Sequence, residues 1–181
     1  MSSTILKAIN MINEDKHAVG NLNNWNKSLV NEGAVATEDI ENFSIVELGF
    51  NDKGERTYSY LTDKATKGYL VASVEEYMDE YGEDLGNFYN AKGERSRIVV
   101  LDPMVTRFDV SNYEADDKSG SAKEIANGMK VHWDVTEKKF IVSNGTADNA
   151  DYATSANQFV VVNANSVVLD GIQTIRLECV K

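Results

Sequence analysis

The stretch from Gly68 to Asp102 limits the architecture more than any other. It reads strand, helix, strand: Gly68-Tyr-Leu-Val-Ala-Ser73, then Val74 to Tyr89, then Ile98-Val-Val-Leu101. Ser73 with Glu76 has capping-box spacing, in which the serine oxygen takes a backbone N–H and the glutamate reaches back. Val74, Tyr77, Met78, Tyr81, Leu85, Phe88 and Tyr89 recur at helical intervals. They predict one apolar stripe, packed on a sheet. Glu75, Asp79, Glu80, Glu83 and Asp84 fall on the other face and read as a solvated surface. Gly82 and Gly86 each weaken a helix by about 1 kcal/mol relative to Ala, so a break is expected near one of them.

The flanking segments read as β structure. Phe43 to Phe50 is rich in strand formers, Asn51-Asp-Lys-Gly54 is a turn signal, and Arg56 to Leu61 alternates, which together predict a hairpin. Val105 to Val110 predicts one more strand. Glu114 to Glu124 is charged, small and flexible in composition, and is read as a linker or long loop. Beyond it, Lys130 to Val135, a turn at Thr136 to Lys139, and Phe140 to Ser143 form a second hairpin pattern. Phe159 to Val162 is a short apolar strand, and Asp170-Gly171 is a hairpin turn between Ser166–Leu169 and Ile172–Val180.

The fold class expected is therefore α+β, mainly β. Residues 1–34 are read as an N-terminal arm, 35–113 as a β-sheet domain with one main helix at about 73–89, 114–124 as a linker, and 125–181 as a small antiparallel sandwich or barrel. In the arm, Ile5, Leu6, Ile9 and Ile12 share one side of a short helix, followed by a polar, Asn-rich run with Trp25 as an isolated apolar point. Two readings stand for the arm: it packs on its own domain, or it reaches a neighbouring subunit. On the second, a chain lacking residues 1–34 is expected to fold but to attach less well to its partner.

Composition narrows the function. The formal net charge of −11 argues against nucleic acid, because phosphate binding needs a Lys/Arg footprint, and against an anionic membrane. The single cysteine, Cys179, excludes an intrachain disulfide and a Cys-cluster zinc site, and is expected to be half-buried in a strand. There is no long apolar run and no signal-peptide pattern, so the sequons at Asn26, Asn42 and Asn144 carry no expectation of glycosylation. The two histidines, His17 and His132, lie in no metal-ligand motif, and no phosphate loop, dinucleotide fingerprint or nucleophile elbow is present. Asp148, Asn149 and Asp151 are either a polar turn or a weak calcium loop, the turn being the plainer reading. Trp133 and Tyr152 are candidate stacking residues of a ligand-binding β module. Arg95 and Arg97 form a compact basic turn, read either as local ion pairs or as a contact to an acidic partner. No catalytic residues, cofactor or metal are expected, and an enzyme is the weaker hypothesis.

Several phrases carry a resemblance. Asp39-Ile-Glu-Asn-Phe-Ser-Ile-Val-Glu-Leu-Gly49, Tyr69-Leu-Val-Ala-Ser73 with Tyr77, Asn87 to Val99, Gly128-Met-Lys-Val131 and Lys139-Phe-Ile-Val142 resemble small structural proteins of tailed bacteriophages. Those proteins are described as head decoration, cement or auxiliary capsid proteins, and the likeness covers most of Asp39 to Lys181. It implies a non-enzymatic virion protein, made in the host cytoplasm, that binds the outside of an assembled capsid and stabilises it. The implied partners are the major capsid protein and neighbouring copies. The alternatives are another virion part (tail tube, baseplate or head fibre) or a ligand-binding β module. The family has no fixed functional motif to carry over. The interface residues inferred from the sequence are Ile5, Leu6, Ile9, Trp25, Arg95 and Arg97.

Overall fold

In the computed structural model, residues 20–22, 28–74, 88–116, 124–143, 148–167 and 172–181 are described. The fold is α+β and mainly β, with a nearly closed, barrel-like sheet and one short helix among these residues. The first half supplies β1 (Gly20–Leu22), β2 (Ala34–Ala36), β3 (Ile40–Glu41), β4 (Ile45–Phe50), β5 (Arg56–Tyr60), β6 (Tyr69–Val71), β7 (Tyr89–Asn90), β8 (Arg95–Ser96) and β9 (Ile98–Val99). Then come β10 (Arg107–Val110), β11 (Tyr113–Ala115), β12 (Lys130–Asp134), β13 (Lys139–Val142), the helix α1 (Ala150–Thr154), β14 (Gln158–Val167) and β15 (Gln173–Cys179).

One sheet has six strands in the order β8-β2-β5-β4-β6-β9, another has seven in the order β1-β10-β15-β14-β12-β13-β11, and β3 pairs with β7 alone. A single hydrophobic cluster runs through both large sheets, from Ala34, Ile45 and Tyr58 to Trp133, Phe159 and Leu177. In the seven-stranded sheet Phe140 stands at its centre, with the rings of Phe108, Trp133 and Phe159 at 5.6, 5.0 and 5.4 Å. These tilted and edge-on contacts are the geometry that aromatic quadrupoles favour.

The hairpin expected at Phe43–Leu61 forms as β4 and β5, paired antiparallel from Val46↔Tyr60 to Phe50↔Arg56. Its turn works as the residues suggest: the Asn51 side chain accepts from the N–H groups of Lys53 and Glu55, and Gly54 takes φ +75°. The β12–β13 hairpin also forms. At the end of the chain β14 and β15 pair antiparallel, although the Asp170-Gly171 turn lies outside the described residues. Here the strand is longer than expected. Ser166 belongs to β14, because the Asn163-Ala-Asn165 interruption is absorbed as two register shifts rather than a break.

The helix expected at about 73–89 falls mostly outside the described residues, as do Ile5, Leu6, Ile9, Ile12, His17 and Trp25. What is described of that unit is that β6 and β9 pair directly and antiparallel. Ser73 donates its hydroxyl to Asn90 Oδ1 at 2.5 Å.

Two boundaries differ from the sequence reading. The division between the sheets falls between β9 and β10, since β10 and β11 both join the later strands: β10 pairs with β15, and β11 runs parallel to β13. Residues 114 and 115, placed in a linker by composition, are therefore strand residues. The arm boundary at residue 34 also cuts into structure. β1 lies along β10, with Gly20 so close that a Cβ would stand 2.2 Å from the Asp109 carbonyl. Leu29 bridges Val99, and Ser28 and Val30 exchange backbone hydrogen bonds with Val100 and Ile98. Ala34 pairs with Ser96 inside the six-stranded sheet. Edge strands leave unpaired backbone groups, and here the N-terminal segment satisfies those of two sheets. Removing residues 1–34 would take strand pairings with it.

Candidate functional site

Strand periodicity sets the site. In β12, Val131 and Trp133 point into the aromatic core, so His132 and Asp134 point to the other side. Helix α1 packs against that side. Asn149 caps it by accepting from the Asp151 N–H at 2.8 Å, which sets Asp151 in the first turn. The segment behind α1 is tied to the other sheet: Asn157 donates to the Thr66 carbonyl and accepts from the Gly68 N–H, both at 2.9 Å, and the Ala156 N–H donates to the Lys64 carbonyl. That tie brings Lys64 to Asp151, where its ammonium lies 2.5 Å from Oδ1.

The result is a cluster of one imidazole and two carboxylates. Ligand atoms of His132, Asp134 and Asp151 lie within 4.8 Å of one another. His132 is 1% exposed, and neither ring nitrogen has a hydrogen-bond partner among the described residues. Burial pushes its pKa below the ordinary histidine value, against the opposing pull of Asp151 and Asp134, so the ring is neutral at pH 7. The hydrogen bond from Lys64 holds the Asp151 carboxyl below its usual value. One oxygen of Asp134 accepts from the Thr136 and Glu137 N–H groups and shapes the hairpin turn.

Two cavities of about 420 Å³ each meet at this cluster, sharing Asp134 and Asp151. The first also contains Thr62, Lys64 and His132. The second adds Glu114, Asp116 and Glu137, so five carboxylates line it. Such a lining favours cations.

The residues singled out from sequence are distributed differently. Asp148, Asn149 and Asp151 do not converge as a calcium loop: Asp148 pairs with Lys130 at 2.6 Å, Asn149 caps α1 and donates to Asp116, and Asp151 pairs with Lys64. Trp133 is a core residue at 1% exposed and offers no stacking face, while Tyr152 lies under the Lys130 ammonium at 5.3 Å. Arg95 pairs with Glu55 and donates to the Glu32 carbonyl, and Arg97 donates to the Ala72 carbonyl, so both guanidinium groups have partners within the chain. Cys179 is fully buried rather than half-buried, and burial raises its thiol pKa to about 11. Asn42 is fully buried as well, with its side chain bonded to Ser73. The candidate cluster is not legible from spacing, because His132-x-Asp134 is only a same-face pair on a strand. Its third member arrives from a separate helix.

These features define an acidic β protein of two large sheets and a two-stranded ribbon, with a carboxylate-lined cleft. Its sequence matches the YonC prophage protein family over residues 13–180. The SPbeta prophage-derived uncharacterized protein YonC of Bacillus subtilis (strain 168) is 40% identical over 185 aligned residues, covering 100% of this chain and 99% of that protein. The chain belongs to the YonC prophage protein family. No solved structure matches it.

Proposed function

We propose that this phage-derived protein is a structural component of the virion, binding the outside of the assembled capsid and stabilising it without catalysing a reaction. Its partners on this reading are the major capsid protein and neighbouring copies of itself. The observation that carries the reading is the fastening of the N-terminal segment. Residues 20–22 lie on the edge of one sheet and residues 28–30 on the edge of the other. The segment is thus rooted on the body at Gly20–Leu22, and the sequence before it includes Ile5, Leu6 and Ile9. A body with many copies on a lattice gains avidity, so each such contact can be modest. The net charge of −11 favours a protein partner over packaged nucleic acid.

The test is co-sedimentation with expanded capsids lacking this protein, using the full chain and a chain without residues 1–19. That truncation, unlike one at residue 34, spares every described strand. Saturable binding at a fixed ratio to the major capsid protein, lost on truncation, is the expected result. Absence of binding overturns the capsid reading, and rings or tubes of the isolated protein would move it to the tail.

A further inference from the structure

We infer that His132, Asp134 and Asp151 form a binding site for one divalent transition-metal ion of the zinc class, which fastens α1 to the β12–β13 hairpin. Three observations converge. The ligand atoms already lie within 4.8 Å of one another, and around a tetrahedral ion with bonds of about 2.0–2.2 Å they would stand about 3.4 Å apart. Small side-chain rotations close that difference.

His132 supplies the second observation. A buried polar group is ordinarily hydrogen-bonded, since leaving it bare costs about 1–3 kcal/mol. Among the described residues neither nitrogen of this 1% exposed ring has a partner, and the ring is in the cluster with both carboxylates. A metal ion satisfies one nitrogen outright. The third observation is charge: the adjoining cavity is lined by Glu114, Asp116, Asp134, Glu137 and Asp151. One imidazole with two carboxylates suits zinc or manganese, whereas calcium and magnesium prefer oxygen alone. Three protein ligands leave a fourth position for water.

Lys64 gives the site a built-in competitor. Its ammonium holds Asp151 Oδ1 at 2.5 Å and cancels part of the charge that would attract the ion. Removing it should therefore tighten metal binding, an effect opposite to that of removing a ligand.

The experiment is titration of the full chain, stripped with chelator, with zinc chloride, manganese chloride and calcium chloride, read by calorimetry and by Tm. One zinc ion per chain with a chelator-reversible rise in Tm is expected. Asp134→Asn and His132→Gln should each weaken zinc binding by about 100-fold or more, an effect at least as large as loss of an outer-shell partner. Lys64→Gln should strengthen it, and Asp148→Asn, outside the cluster, should leave it unchanged. Asp134 is only half-buried, so its variant keeps the test valid should His132→Gln fail to fold. No zinc binding, or zinc binding equal in wild type and Asp134→Asn, overturns the inference. Calcium binding as tight as zinc would overturn the role of the imidazole.

Discussion

Asn90 and His132 are buried to nearly the same degree, at 2% and 1% exposed, yet their hydrogen-bonding states are opposite. Asn90 is saturated. Its Oδ1 accepts from Ser73 and Ser96 at 2.5 and 2.9 Å, its amide donates to the Ile40 carbonyl, and Ser96 in turn accepts from the Tyr58 hydroxyl at 2.6 Å. The chain links β3, β5, β7 and β8, so one satisfied network joins the two-stranded ribbon to the six-stranded sheet. His132, on the seven-stranded sheet, has no partner for either nitrogen among the described residues, and one of them lies within 4.8 Å of the Asp134 and Asp151 carboxylates. The first arrangement is complete within the chain and reads as structure. The second has no partner among the described residues, which is what the proposed metal ion would supply.

The largest effect expected from breaking this contrast is at Asn90. Asn90→Ala strips partners from Ser73, Ser96 and the Ile40 carbonyl at once. Each buried orphan costs about 1–3 kcal/mol, while half-buried Ser73 can turn to water and Ser96 keeps its bond from Tyr58, so a loss of about 3 kcal/mol is expected. Urea unfolding at an unchanged m-value measures it. A loss under about 1 kcal/mol would mean that the network is not structural.

Next in size is the pH dependence of the same network. Burial raises the Tyr58 pKa from 10.0 to about 12, the Ser96 hydrogen bond opposing only in part. A raised folded-state value means that the native state holds the proton after the unfolded chain has released it. The contribution of Tyr58 is therefore complete below pH 10 and is lost as pH rises towards 12. The loss is on the order of 2–3 kcal/mol. Denaturant midpoints across that range should fall in wild type and flatten in Tyr58→Phe. Equal slopes in the two proteins would assign alkaline lability elsewhere.

The contrast was only half legible in the sequence, for a physical reason. Local grammar is readable: Asn51 and Gly54 announce their turn, and alternation announces β4, β5, β12 and β13. Pairings that close long loops leave no local trace. Nothing local announces the parallel contacts of β2 with β5 and of β11 with β13, or the hold of Ser28 and Val30 on Val100 and Ile98. Asn90 reads as one more turn asparagine, although its side-chain partners come from three separated segments. The His132 cluster fails similarly, because Asp151 and Lys64 reach it through α1 and the Asn157 tie. Spacing rules find ligands on one element and are blind to ligands assembled by tertiary structure.

The comparison sharpens when His132 is replaced without a polar group. His132→Leu removes a buried imidazole that has no hydrogen-bond partner among the described residues, so in chelator its stability should match wild type or exceed it by about 1 kcal/mol. The sign is opposite to that of Asn90→Ala. With zinc present, wild type should gain in Tm and the variant should not. If His132→Leu is destabilised as strongly as Asn90→Ala in chelator, the ring has a structural role and the contrast collapses.

The smallest effect is expected beside the site, at Asp148. Its carboxylate pairs with Lys130, both side chains being about half exposed at 51% and 45%. In water such a pair gains little Coulomb energy and immobilises two side chains, so Asp148→Asn should leave the denaturant midpoint almost unchanged. Salt should shrink even that difference. The Lys130 ammonium would remain over Tyr152, whose ring needs no carboxylate to attract it. A larger loss, comparable to that of Asn90→Ala, would show that the carboxylates around α1 act as one coupled set. Zinc binding would then have to be measured against Asp148→Asn as a member of the site rather than as its control.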